Sequence, residues 1–117
     1  MQNFKTIKEY SEATGIPLAR HEHFVVRSFQ EDMPTVVHRM PAFRHAFYAI
    51  ALRINGDGKA LSSHYSEFPE GAVLFFNSPF QILSWDIAPN WEVYYILMTL
   101  DFISQHHVFK DFLSAFP

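Results

Sequence analysis

The sequence predicts an all-β domain, and three observations carry that prediction. Runs rich in β-branched and aromatic residues, such as Val73-Leu74-Phe75-Phe76 and Trp91 to Leu100, recur at short intervals. Clusters of turn-forming residues separate them: Asn55-Gly56-Asp57-Gly58, Pro69-Glu70-Gly71, Asn77-Ser78-Pro79 and Ala88-Pro89-Asn90. Helical spacing is confined to short stretches near the two ends. About seven or eight short strands with turns of this kind imply a sandwich or a barrel. A barrel of that size is filled by side chains or holds one small ligand.

The elements follow in order. Thr6-Ile7-Lys8-Glu9 has the form of a capping box, in which Glu9 reaches back to the Thr6 amide. Gly15 supplies a left-handed stop and Pro17 blocks continuation, so a helix is expected at about 7–14. Its apolar face is Ile7, Tyr10 and Ala13/Thr14. Leu18 to Glu22 is a linker, Phe24 to Phe29 a strand, Gln30 to Pro34 a turn, and Thr35 to Arg39 a second strand. Pro41 marks a break, because proline cannot donate to a central ladder. Phe43 to Ile54 is the longest expected strand. One alternating set on it is Phe43, His45, Phe47, Ala49 and Ala51, and the other is Arg44, Ala46, Tyr48, Ile50 and Leu52.

From Gly56 to Trp85 the turns and strands read as successive hairpins, with strands at Ala72–Phe76 and Gln81–Ile87. Lys59 to Tyr65 alternates weakly and is expected at the surface. Trp91 to Leu100 is a final long strand whose one face is Trp91, Val93, Tyr95 and Leu97. After Leu100 the spacing turns helical, first from Asp101 and again from Lys110 to Phe116. The apolar Phe112/Leu113/Phe116 cluster there leads us to expect that the natural chain continues.

Composition narrows the functional classes. The 117 residues make one domain, long enough for one sizeable core. Thirteen Phe require a large interior or an exposed apolar surface. A net charge of −3 and the lack of any basic run give this segment no electrostatic basis for binding nucleic acid. The chain has no cysteine, hence no disulfide framework and no thiolate nucleophile, which fits a reducing cytoplasm. No apolar run approaches the roughly 18 residues of a membrane span, and the N-terminus lacks a signal-peptide core.

Taken together, Thr6-Ile7-Lys8-Glu9-Tyr10 to Gly15-Ile16-Pro17, Arg44-His45-Ala46-Phe47-Tyr48, Gly56-Asp57-Gly58, Pro69-Glu70-Gly71, Phe75-Phe76-Asn77-Ser78-Pro79, Gln81 and Ser84-Trp85-Asp86 resemble the N-terminal domain of AraC-family transcription regulators. The resemblance covers nearly the whole chain. It implies a cupin-like β-barrel, that is a double-stranded β-helix or jelly roll, over about 24–100. An N-terminal helix at 6–15 precedes the barrel, and 101–117 begins a C-terminal helical segment. It also implies a bacterial, cytoplasmic, effector-sensing and dimerising domain. Two helix-turn-helix units do not fit after Trp91, so the DNA-binding domain of the family is expected outside this chain. DNA would then be contacted through that domain alone. A stand-alone cupin-like binder is the alternative.

The same resemblance bears on metal chemistry. Metal-binding cupins use a His-x-His pair, a nearby Glu and a distant His. Here the pair reads Phe43-Arg44-His45, the Glu position falls at Ala49 or Ile50, and the distant His position is Leu83. One ligand of the four survives, so no metal, no cofactor and no enzymatic activity is expected. The interior candidates for a ligand site are His45, Phe43, Phe47, Leu83, Trp85 and Tyr95. Such a lining suits an apolar or aromatic effector better than a sugar; complete filling by side chains is the plainer reading. Arg44 is expected to point outward. His21, His23, His38, His106 and His107, with Glu67, Glu70 and Asp86, form no pattern of ligands or of general acid and base.

Overall fold

The computed structural model describes residues 1–17, 21–33, 35–62, 64–106 and 111. Among them the fold is mostly β, in two sheets. The expected helix is there: α1 spans Ile7–Thr14, with Thr6 as its N-cap. The Glu9 amide donates to Thr6 Oγ1 at 3.1 Å. Glu9 Oε2 in return accepts from the Lys5 amide at 2.9 Å, one residue earlier than a standard capping box requires. Gly15 closes the helix at φ 80°, and its amide donates to the Ser11 carbonyl. A Cβ at Gly15 would overlap the Thr35 carbonyl, so glycine is needed there for space as well as for handedness.

The strands are β1 (Gln2–Phe4), β2 (Phe24–Ser28), β3 (Arg39–His45), β4 (Tyr48–Asn55), β5 (Gly58–Leu61), β6 (His64–Glu67), β7 (Val73–Asn77), β8 (Leu83–Ile87) and β9 (Glu92–Met98). Two short helices complete the set, α2 (Phe29–Asp32) and α3 (Leu100–Ser104). One sheet has the order β1-β3-β8-β5 and the other β2-β9-β4-β7-β6. From β2 onward the chain passes to the other sheet at almost every step, and β6–β7 is the exception. That pair is a true hairpin, closed by the Phe68 amide on the Ala72 carbonyl at 2.8 Å. The expectation of successive hairpins across Gly56–Trp85 therefore holds for one pair and fails for the others. Turn residues show where the chain reverses, but not whether the next strand pairs with the last or crosses to the facing sheet. No ladder between the two sheets closes them into a barrel among the described residues.

Three further expectations change. The strand expected over Thr35 to Arg39 is absent except for Arg39, which begins β3. Thr35 to His38 belong to a loop tied down by the Val37 amide on the Thr14 carbonyl, 2.8 Å. Strand β3 starts at Arg39 and runs through Pro41. Its pairing with β8 shifts register between Met40 and Phe43, so the proline sits in an irregularity of the ladder. The long strand expected over Phe43–Ile54 is two strands, β3 and β4, in different sheets, with a bend at Ala46-Phe47. Side-chain alternation carries through this bend. Phe43, His45, Phe47 and Ala49 are all buried, because a strand that turns a corner between facing sheets keeps its inner face inward. Strand β1, parallel to β3, and the helical turn α2 were not foreseen.

The final strand follows its pattern. Trp91, Val93, Tyr95 and Leu97 are buried, while Tyr94 is exposed. Helix α3 starts at Leu100, capped by Thr99 Oγ1 on the Phe102 amide at 3.2 Å. Its Ile103 and Phe102 pack on Phe76, Met98, Phe24 and Ile50, on the outer side of the β2-β9-β4-β7-β6 sheet. The expectations for Leu18, Pro34, His107 and the Phe112/Leu113/Phe116 cluster lie outside the described residues.

Candidate functional site

The interior between the sheets has two parts, and alternation on β3 and β4 supplies both. At one end Phe43 (0 % exposed) and Phe47 (1 % exposed) are sealed in. Tyr10 from α1 sits among them, with ring centroids 5.8 Å from Phe43 and 5.5 Å from Phe47. Phe4 of β1 closes this end, 5.8 Å from Tyr10 and 5.6 Å from Phe43. Edge-on and tilted contacts of this kind let aromatic rings fill space without facing each other squarely.

At the other end is a cavity of about 80 Å³. Both sheets wall it: Leu83 and Trp85 on β8, Ala60 on β5, Ala49 and Ala51 on β4, and Tyr95 on β9 all take part. Alanines on facing strands leave the space that phenylalanines fill at the packed end. Polar groups at the wall are His45, Asn77, Ser62, Ser84 and the two phenols, Tyr10 and Tyr95. The Ser62 hydroxyl donates to Asn77 Oδ1 at 2.8 Å, which orients the amide. No carboxylate, ammonium or guanidinium lines the cavity among the described residues.

His45 stands where the two parts meet. It is 1 % exposed, and its ring stacks flat on Phe47 at 4.1 Å with the planes 3° apart. Tyr10 approaches it edge-on at 5.6 Å. Neither ring nitrogen has a hydrogen-bond partner among the described residues. Burial pushes the imidazole pKa down to about 4, and backbone groups of Phe47 and of His45 itself oppose this without reaching hydrogen-bond geometry. His45 is therefore neutral at neutral pH. Burial likewise drives the Tyr10 phenol far up, and the neighbouring Tyr95 adds to that shift. A neutral, buried imidazole without a partner is costly.

Of the six expected site residues, the structure brings His45, Leu83, Trp85 and Tyr95 to the cavity. Phe43 and Phe47 do not line it. They belong to the packed end, since their side chains lie on the stretch of β3 and its bend that α1 and β1 cover. Trp85 is less enclosed than expected. Its indole N–H donates to the Val37 carbonyl at 2.8 Å, so the ring is anchored to the loop that replaces the expected second strand. Arg44 is exposed, and His38 lies within 3.3 Å of the Met33 carbonyl through Nε2. His23 Nδ1 is 3.0 Å from Thr99 Oγ1, which links the start of β2 to the cap of α3.

Sequence reasoning missed Asn77, Ser62 and Tyr10. Asn77 looked like part of a turn, but it ends β7 facing inward. Tyr10 was visible on the helix face, yet nothing local says that this face meets the cavity. Among the described residues no three His, Asp or Glu side chains gather as a metal site would require. No helix there is long and apolar enough to cross a membrane. Comparison with protein-family models, curated proteins and solved structures finds no match to this chain.

Proposed function

We propose that this chain is the effector-sensing and dimerisation domain of an AraC-type transcription regulator, located in the cytoplasm and without catalytic activity of its own. The observation that carries the reading is the cavity between the sheets with the neutral, unsatisfied His45 at its wall. Passage of the chain from sheet to sheet along β2 to β9 supports the finer reading of a cupin-like double-stranded β-helix. The ordered turn motifs supply the link to the family.

A ligand in the cavity touches both sheets at once, and His45 connects it to Tyr10 on α1. Occupancy thereby favours one placement of α1 and of the sheet edges over another. Such a shift acts on a DNA-binding domain through differential contacts, with a typical coupling of about 1–3 kcal/mol. Self-association has a natural surface in the outer face of the five-stranded sheet, where Val26 is 60 % and Tyr94 46 % exposed. Light scattering across a concentration series checks this, and a strict monomer at high concentration would count against it.

The coding frame beyond Pro117 tests the regulatory reading. It is expected to continue for roughly one more domain with two basic helix-turn-helix patterns. A stop codon, or an unrelated domain, would sink it and leave a stand-alone cupin-like binder.

A further inference from the structure

The cavity has a definite size, charge preference and polarity, and these limit what it can hold. About 80 Å³ has room for roughly six water-sized groups, well short of a sugar or a nucleoside. With no charged side chain at its wall among the described residues, a carboxylate, phosphate or ammonium would be buried without a counter-charge, which is strongly unfavourable. A polyol would need a partner for each hydroxyl, whereas the wall is mostly Ala, Leu, Ile, Val and aromatic carbon.

One strong polar group stands apart from this apolar lining. His45 borders the cavity, and both of its ring nitrogens are buried without a partner. Ser62 and Asn77, by contrast, engage each other. Neutral imidazole offers one donor and one acceptor. Neither nitrogen carries exposed surface, so the ring has to turn toward the cavity to engage a ligand. That turn breaks its flat stacking on Phe47 and changes its edge contact with Tyr10.

We propose that the cavity binds a compact, uncharged ligand of about six non-hydrogen atoms, whose single polar group hydrogen-bonds the His45 imidazole and rotates it out of its stack on Phe47. The proposal rests on the sensing reading of the same cavity and specifies the ligand class and the first moving part. Ring rotation is the local event, and Tyr10 carries it to α1.

The test is a titration of the isotopically labelled chain with four probes: pyrazole, thiophene, acetate and glycerol. Nuclear magnetic resonance reads the His45 ring nitrogens and the amides of Ala49, Ala51 and Ala60. Pyrazole, a neutral five-membered ring with a donor and an acceptor, is expected to shift all of these. Thiophene, of the same ring size but a poor hydrogen-bonder, is expected to bind about tenfold more weakly. Acetate and glycerol are expected to leave the cavity signals unchanged. His45→Phe is expected to lose the preference for pyrazole over thiophene. Should that variant not fold, the comparison of pyrazole with thiophene on the unaltered chain decides the question. Equal binding of thiophene and pyrazole, or preferred binding of acetate or glycerol, overturns the proposed ligand class and leaves the sensing reading standing. Silence of the cavity signals toward all four probes overturns the proposed ligand class, while the sensing reading is decided separately by the coding frame beyond Pro117.

Discussion

The two ends of the interior are built from the same strands and behave as opposites. At one end the rings of Phe4, Tyr10, Phe43 and Phe47 meet with centroids 5.5 to 5.8 Å apart. At the other, Ala49 and Ala51 continue the same inward series, and the space they leave is a cavity. Two residues along one alternating stretch thus separate a sealed core from a cavity. Filled and open interior occupy adjacent parts of one chain segment, and the size of the inward side chain selects between them. His45 belongs to both: it is packed like a core ring against Phe47, borders the cavity, and has no hydrogen-bond partner among the described residues.

That contrast can be broken from the packed end first. Phe43→Ala removes a fully buried ring and is expected to cost about 3–5 kcal/mol, read as a fall in the midpoint of urea unfolding. A loss under about 1 kcal/mol would mean that the aromatic end is not the anchor of the fold. Acid is the next largest lever. The unfolded chain protonates its histidine near 6.5, whereas His45 in the folded chain resists until about 4. As pH falls, the unfolded state takes the proton first. Stability is therefore complete above about pH 6.5 and drains as pH falls through about 4, by a total of about 3 kcal/mol at roughly 1.4 per unit. Among the described residues, the titratable groups that share the cavity wall with His45 are the Tyr10 and Tyr95 phenols, with no carboxylate or cation there. Unfolding curves at pH 7 and at acid pH, with His45→Phe as the control that should flatten the slope, check this.

Smaller effects sharpen the contrast. Thr6→Ala removes the oxygen that caps α1, the helix that delivers Tyr10, and is expected to cost about 1 kcal/mol. Ala51→Val should change stability least, by under about 1 kcal/mol in either direction, because the added methyls enter empty space. The same change is expected to weaken probe binding in the cavity. A variant that is strongly destabilised instead would show that this wall is as tightly packed as the aromatic end.

Much of this arrangement was legible in the chain. Alternation placed Phe43, His45, Phe47 and Ala49 inward even though the strand expected there is really two, since period-two patterning survives a bend between sheets. Trp91, Val93, Tyr95 and Leu97 were read correctly for the same reason. What could not be read was partnership. Nothing in Gln2-Asn3-Phe4 says that it lies parallel to Phe43–His45, because that pairing depends on residues far away in sequence. The partition of the candidate site failed similarly: Phe43 and Phe47 share a face with His45 and Ala49, and only the position of α1 decides which of them are sealed. Pro41 reads as a break on a rule that holds for regular ladders, and the register shift beside it removes the conflict.

The strand order has a consequence for synthesis. In the four-stranded sheet β8 lies between β3 and β5, and in the five-stranded sheet β9 lies between β2 and β4. Each sheet is joined by a strand from the last third of the chain. A ribosome that has released β2 to β7 has made a hairpin and several strands whose intended neighbours do not yet exist. Their edges stay open to wrong partners until Leu83–Ile87 and then Glu92–Met98 emerge. A chain cut short before Glu92 therefore leaves the facing edges of β2 and β4 unpaired in the larger sheet, open to association with other chains.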